Sequence, residues 1–392
     1  MPVLGIVAEY DPFHNGHLRH LREAVSAVSP SAVLVALSGP FKQRGEASLL
    51  SPYARAACAL DAGADAVFAL PVRWTVRDAE HYAVGAVHIL AAMGATHLAF
   101  GAETADLPLL CRTADLLEDP PAQMRSALHT FLAEGAGYPA AMARAAGTVL
   151  PESREILNRP NNILAVCYLR AIRRLGLSVI PVAVPRSGAY HADRVSPSEP
   201  SASAVRGALL RGAWAGALES LPPFSAKSVR ESFLTGCVPD PKRLDAFLSA
   251  RLRAMSPEDA AQLPGVSEGL DTALLHAASL SDSREGIIAS LSTRRYPAAR
   301  VSRLCTCAML GIRRRDPEED PLPDRVLLLA LKKNPSLTGS WKNGAVRACN
   351  AASWLKDADP EDRAAWQLWA LAAGLPASWP FTRKPAAGKD PS

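Results

Sequence analysis

Val3-Leu4-Gly5-Ile6-Val7-Ala8-Glu9-Tyr10-Asp11-Pro12-Phe13-His14-Asn15-Gly16-His17 opens the chain after two residues. Val3 to Ala8 is an apolar run of strand length, Pro12 interrupts it, and His14 to His17 spell an H-x-G-H tetrad. Leu18-Arg19-His20-Leu21-Arg22-Glu23-Ala24-Val25 then continues with apolar residues at helical spacing. A strand feeding a helix through such a turn is the building unit of a parallel sheet wrapped by helices. His14 and His17 fall on one face of the first helical turn, where unsatisfied backbone N–H groups and the helix dipole favour an anion. Gly16 between them leaves room for a phosphate to approach the backbone. The tetrad reads as a phosphate site and points to nucleotide chemistry; the plainer alternative is two surface histidines at a helix start.

Further apolar runs at Ala32 to Ser38, Ala66 to Leu70, His97 to Gly101 and Ser178 to Val184 alternate with helical patterns. They predict an α/β fold, a Rossmann-like parallel sheet over residues 1–210. Beyond that the pattern is mainly helical, with helices expected at Ala204 to Ser220, Pro241 to Arg253, Ser267 to Ala278, Val301 to Leu310 and Arg363 to Ala373. Residues 211–375 are therefore expected to form an α-helical domain, and 376–392, with Trp379 and several prolines, a flexible tail.

With 392 residues the chain can bury a sizeable core, and 48% hydrophobic with 21% charged residues exclude a disordered protein. No signal peptide or run long enough to span a bilayer is legible, so a cytoplasmic protein without membrane contact is expected. The seven cysteines lack C-x-x-C spacing and read as free thiols rather than a disulfide framework or a metal site. Residues 1–200 carry 17 Lys and Arg against 18 Asp and Glu, and residues 201–392 carry 26 against 20. A polyanionic partner would meet the basic second half.

In open parallel sheets ligands bind beyond the carboxyl ends of the strands, so the residues following each strand matter most. Ser38-Gly39-Pro40-Phe41-Lys42-Gln43-Arg44-Gly45-Glu46 is a loop with two cations, either a phosphate clamp or a solvated turn. Gly101-Ala102-Glu103 offers close backbone approach and a carboxylate, or simply a turn. Asn161 and Asn162 stand at a helix entry, where capping explains at least one of them. Arg186 follows the last strand and either grips a phosphate or faces solvent. Ser201-Ala202-Ser203-Ala204-Val205-Arg206 opens another helix and makes a second anion site, or a plain N-cap. In the helical half, Arg294, Arg295, Arg300, Arg303, Arg313, Arg314 and Arg315, followed by Lys332 and Lys333 beyond the acidic residues 316–320, form a basic cluster that is either a nucleic-acid surface or a solvated face.

Together these residues resemble the tRNA(Met) cytidine acetate ligase family, a branch of the H-x-G-H nucleotidyltransferases. Gly5 to His17 match its G-I-(V/I)-x-E-Y-N-P-F-H-N-G-H run almost throughout. Gln43-Arg44-Gly45-Glu46 is similar to its S-G-x-F-x-Q-R-G-E loop, Asp65 to Pro71 to A-D-x-V-x-x-L-P, and Phe100 to Glu103 to F-G-S-E. Pro160 to Ala165 are identical to P-N-N-I-L-A, and Ser201 to Arg206 resemble S-A-T-A-I-R. In the helical half Arg294-Arg295-Tyr296 and Ser302-Arg303-Leu304 are similar to the family's basic helix, and from about Arg325 the pattern is lost. Departures are Asp11 for the usual Asn, Pro40 and Lys42 for Asn and Val, Ala47 for a proline, and Ser203 for Thr. Asp11 brings a potential negative charge next to the phosphates.

The resemblance implies that ATP lies along Val7 to His20, with contacts from Gly101, Asn161 or Asn162, Arg186 and the Ser201 to Arg206 turn. His14, His17, Ser203 and Arg206 would be the catalytic residues. Acetate would be activated with ATP to acetyl-adenylate, aided by Mg2+, and the acetyl group passed to N4 of the wobble cytidine of elongator tRNA(Met). Arg294, Arg295, Arg303, Arg313, Arg314 and Arg315 would hold the tRNA. Two rivals are another H-x-G-H adenylyltransferase acting on a small-molecule phosphate and a non-catalytic RNA-binding homologue.

Overall fold

All five strands expected from the apolar runs form, and they lie parallel in the order β5-β4-β1-β2-β3. They are β1 (Val3–Ala8), β2 (Ala32–Ser38), β3 (Ala66–Leu70), β4 (His97–Ala102) and β5 (Ile180–Pro185). The computed structural model describes residues 1–186, 200–315, 320–332, 341 and 344–387; Lys333 and residues 316–319 of the basic and acidic runs lie outside these. Strand β2 is buried throughout, as a central parallel strand covered on both faces must be. Leu34 and Ala36 join one core with Phe68, Tyr82, Val87 and Tyr168, and Val33, Val35 and Leu37 join the opposite core with Leu21, Ala56 and Leu60. Helices α1 (Asn15–Val28) and α2 (Pro52–Ala62) cover the latter face, and helices Ala79–Ala92 and Pro160–Arg174 the former.

The chain steps from β1 to β2 to β3 toward one edge and then returns to lay β4 on the other side of β1. This reversal creates a crevice at the carboxyl ends of β1 and β4, where a ligand is expected in a sheet of this type.

Helices dominate residues 211–375, but they do not stand apart from the sheet. Arg325–Leu331 is a strand, β6, antiparallel to β3, and Arg347–Cys349 (β7) and Ala386–Ala387 (β8) pair along its other edge. Val326-Leu327-Leu328-Leu329-Ala330-Leu331 is an unbroken apolar run, and such a run has no period that separates a buried strand from a helix. The single helix expected over Ala204 to Ser220 is two, Ala202–Leu210 and Trp214–Glu219, broken at Gly212 with φ of +79°. Residues 376–387 are packed rather than loose: Tyr53 Oη donates to the Pro380 carbonyl at 2.6 Å, and Trp379 lies against Tyr53 and Trp369.

The helical half also takes its core from loops at the strand ends. Phe41, Val72 and Val76 pack with Leu248, Leu252, Val301 and Leu304, and Leu49 and Leu50 pack with Val205, Leu209 and Val229. The loop after β2 is thereby a shared element of both halves.

Candidate nucleotide-binding site

A cleft of about 290 Å³ opens at the carboxyl ends of β1 and β4. Its walls come from Val7, Ala8, Glu9, Tyr10 and Asp11 after β1, from His14, Gly16, His17, Arg19 and His20 of α1, and from Gly101, Asn161, Arg186, Ser203 and Arg206. The tetrad and the Ser201 turn, nearly 190 positions apart in sequence, thus face one space.

The two imidazoles of the tetrad cap their own helix. His14 is the N-cap: its Nδ1 accepts from the His17 backbone N–H at 3.3 Å, and the His17 Nδ1 accepts from the His14 N–H at 3.2 Å. The rings stack with centroids 3.5 Å apart and an interplanar angle of 16°. With both Nδ1 atoms accepting, each neutral ring carries its proton on Nε2, so the pair presents N–H donors. Burial, reinforced by the Arg186 cation, holds the His14 imidazole down at about 3 and that of His20 at about 4. Burial and the neighbouring His14 keep His17 well below its ordinary value. At neutral pH all three are uncharged. Gly16 suits this stacking: a Cβ there would lie 3.0 Å from His14 Cε1 and press on the ring.

Asp11 does not confront the phosphate space with a bare charge. Its carboxylate is buried and accepts from the Leu49 and Leu50 N–H groups at 2.9 and 3.1 Å. Lys42 Nζ lies 3.5 Å from it and Arg206 Nε 3.9 Å. Burial opposes ionisation here, but Lys42, Arg206, Arg55 and the Leu49 N–H outweigh it and hold the carboxyl below the usual range. Two residues that depart from the family pattern, Asp11 and Lys42, therefore meet and compensate each other. Glu46 Oε2 bridges Lys42 Nζ at 2.6 Å and Arg206 Nη2 at 3.0 Å. Against burial, these cations pull the Glu46 carboxyl down to about 2.

The loop carrying Lys42 and Glu46 is held from behind. Arg284 Nη2 donates to the Gly45 carbonyl at 2.6 Å and to the Ser302 carbonyl at 2.7 Å, and Ser302 Oγ donates to the Arg44 carbonyl at 2.6 Å. Gly45 has φ of +80°, and a Cβ there would lie 2.8 Å from the Ser302 carbonyl oxygen, so this close approach needs glycine. From the sheet side the buried Arg55 guanidinium donates to the backbone carbonyls of Glu9, Gly39 and Leu50.

Not every residue expected at the nucleotide lines the cleft. Asn162 is fully buried: its Oδ1 accepts from the Thr104 N–H at 3.0 Å and its amide donates to Thr104 Oγ1 at 3.2 Å. Asn161 is the one of the pair that faces the cleft, and Arg186 Nη1 donates to its Oδ1 at 3.2 Å. Glu103 caps the Pro160–Arg174 helix, accepting from the Asn161 and Asn162 N–H groups. Phe13 is buried between Tyr10 and Phe224, Leu18 turns from α1 into the core, Asn15 donates to the Glu219 carbonyl, and Pro12 carries the turn without reaching the cleft wall. Conversely Lys42, Gln43, Arg44, Glu46, Tyr82 and Tyr168 line the cleft. The first four are marked in sequence by their place directly after β2; the two tyrosines sit inside helices and carry no such mark.

The basic cluster divides. Arg315 reaches Asp320 and Glu361 at 3.7 and 3.6 Å, beside Arg73, and so belongs to an internal ion network. Arg300 donates to the Gly265 carbonyl, and Arg303 is mostly buried beside Asp78. Arg294, Arg295, Arg313 and Arg314 are exposed, with Arg295 paired to Glu268 and Arg313 to Asp259. Among the described residues no three His, Cys, Asp or Glu side chains converge on a metal site, and no helix is long and apolar enough to cross a membrane.

Residues 1–344 match the model of the family described as HIGH Nucleotidyl Transferase. The tRNA(Met) cytidine acetate ligase of Acetivibrio thermocellus is 32% identical over 391 residues, covering 96% of this chain and 94% of that protein. The chain belongs to the tRNA(Met) cytidine acetate ligase family of HIGH nucleotidyl transferases. The family member from Syntrophomonas wolfei is 36% identical over 311 residues, 77% of this chain and 74% of that one. The fold also matches Thermotoga maritima TmcAL bound with alpha-thio ATP, with a TM-score of 0.88, 26% identity and 99% of each chain covered. For the apo form of the same protein the TM-score is 0.89.

Proposed function

We propose that this chain is an ATP-dependent ligase that converts acetate to acetyl-adenylate and transfers the acetyl group to N4 of the wobble cytidine of elongator tRNA(Met), in the cytoplasm. The observation that carries this reading is the cleft itself: the His14 and His17 pair and the Ser203 and Arg206 turn line one space at the switch point of the sheet. The homology to ligases of this name and to an ATP-analogue complex supports it.

ATP lies with its triphosphate between the two helix starts. Val7 to Asp11, Gly101 and Asn161 line the rest of the cleft, with Arg186 beside His14. Acetate oxygen bonds to the α-phosphorus as the bond from that phosphorus to the β-phosphate oxygen breaks, giving acetyl-adenylate and pyrophosphate. Such a displacement needs positioning and charge stabilisation more than covalent help. The Nε2 donors of His14 and His17, the Ser203 hydroxyl and the Arg206 guanidinium supply these at preorganised positions. The cytidine N4 then attacks the acetyl carbonyl, AMP leaves, and one N4 proton is released. Mg2+ would enter bound to the ATP phosphates, since among the described residues no three His, Cys, Asp or Glu side chains gather into a protein cage for it. The exposed Arg294, Arg295, Arg313 and Arg314 are the candidates for tRNA phosphate contacts.

Incubation with ATP, labelled acetate and tRNA, followed by mass spectrometry of the nucleosides, tests the reading. Labelled N4-acetylcytidine that is lost in His14→Ala and His17→Ala is expected. Pyrophosphate exchange only with a phosphorylated metabolite would instead identify a small-molecule adenylyltransferase.

A further inference from the structure

A second cavity, of about 270 Å³, lies beside the nucleotide cleft and is walled by apolar side chains, among them Phe41, Leu49, Leu244, Leu248 and Met309. It sits where the loop after β2 meets the helices Pro241–Arg253 and Ala298–Leu310. Lys42, Glu46 and Arg206 line both cavities and form the partition between them. The triphosphate, placed between the two helix starts, has no use for this apolar space.

The partition has the chemistry of a carboxylate seat. One carboxylate oxygen, that of Glu46, bridges Lys42 Nζ and Arg206 Nη2. Glu46 is half-exposed and therefore displaceable, whereas Lys42 is only 2% exposed. Within mutual electrostatic reach, Lys42, Arg55, Arg206 and Arg284 face Glu9, Asp11, Glu46 and Asp245, so the charges balance and an anionic guest binds by taking the place of the Glu46 carboxylate on the two cations. A carboxylate on the two cations would have nucleotide on one side and a hydrocarbon-lined cavity on the other, the polar-head and apolar-body arrangement of a small-ligand site.

We propose that this cavity holds the hydrocarbon tail of the carboxylic acid being activated, with its carboxylate on Lys42 and Arg206, and that it admits straight-chain acids longer than acetate. This inference rests on the adenylation reading and names its acyl substrate class. The step is unchanged: the acid's oxygen bonds to the α-phosphorus, pyrophosphate leaves, and no further reactant enters. Each added methylene that reaches the cavity lowers KM by up to about fourfold, the effect of burying one CH2 group.

The test is ATP–pyrophosphate exchange with tRNA present, using acetate, propionate and butyrate, on the wild-type protein and on Leu244→Trp and Met309→Phe. The expected result is exchange with all three acids and a butyrate-to-acetate ratio of kcat/KM that drops at least tenfold in both variants. Because the ratio is taken within one preparation, partial misfolding does not move it. Exchange with acetate but not with butyrate overturns the proposal, as does a ratio unmoved by both variants. Exchange with no acid at all overturns the adenylation reading itself and this inference with it.

Discussion

Replacing Lys42 by Val while Asp11 remains leaves a buried carboxylate without its nearest cation. At 3.5 Å and an effective dielectric constant near 20, the pair's gross attraction is roughly 5 kcal/mol. Breaking a buried pair by removing one partner costs about 3–5 kcal/mol. Arg206 at 3.9 Å and the Leu49 and Leu50 N–H groups keep part of the support, so we expect Lys42→Val to lose about 2–3 kcal/mol. Asp11→Asn retains one acceptor for two N–H donors and turns an amide NH2 toward the other, a loss of about 1–2 kcal/mol. The double variant carries a neutral Asn beside an apolar side chain, and strands no charge. Its loss should be about 2 kcal/mol smaller than the sum of the single losses. Urea unfolding of the four proteins at low salt measures this coupling. Additivity within about 0.5 kcal/mol would refute the compensated pair.

Three other outcomes follow from the site. The His14 imidazole is held at about 3 by burial against about 6.5 in the unfolded chain, so the unfolded state binds more protons between these values. Stability is then complete above about pH 6.5 and falls toward pH 3, with a loss of about 2 kcal/mol at pH 5 from this ring alone; His14→Gln should flatten the profile, and an unchanged slope would contradict the burial account. Arg284→Lys removes the fork that holds the Gly45 and Ser302 carbonyls, and should weaken ATP binding roughly tenfold in equilibrium titration, about 1.4 kcal/mol; an unaltered Kd would detach that fork from the cleft. Joint replacement of Arg294, Arg295 and Arg314 by Ala should reduce the salt slope of tRNA binding by about one per lost phosphate contact, whereas Arg315→Ala should lower the melting temperature instead; the reverse pattern would return the exposed arginines to solvent duty.

The parallel half of the fold is legible because each of its strands is a short apolar run closed by Gly, Pro or a charged loop, and β1, β2 and β3 begin and end where those runs do. Strand β6 is hidden because Val326 to Leu331 has neither alternation nor a helical period, and its partner β3 is more than 250 positions away. In the site, His14, His17, Ser203 and Arg206 are legible from helix-start chemistry. Asn162 is not separable from Asn161 in sequence, since both stand in the first turn and only the path of the Gly101 to Thr104 segment decides which one it binds. Lys42 illustrates a different limit: a lysine in a polar, glycine-containing loop looks solvated until Phe41 and the Ala298–Leu310 helix fold over it.

The packed segment around Trp379 bears on how the chain can be cut. A boundary drawn after residue 375, where prolines and small residues invite it, would remove β8 and bare the Ala330–Leu331 end of β6, as well as the faces of Tyr53 and Trp369. An unpaired strand edge flanked by freshly exposed aromatic rings is a template for association between copies. A truncated protein of that kind should be recovered as oligomer or precipitate, and expression work is better served by fusions placed beyond Ala387 than by trimming what precedes it.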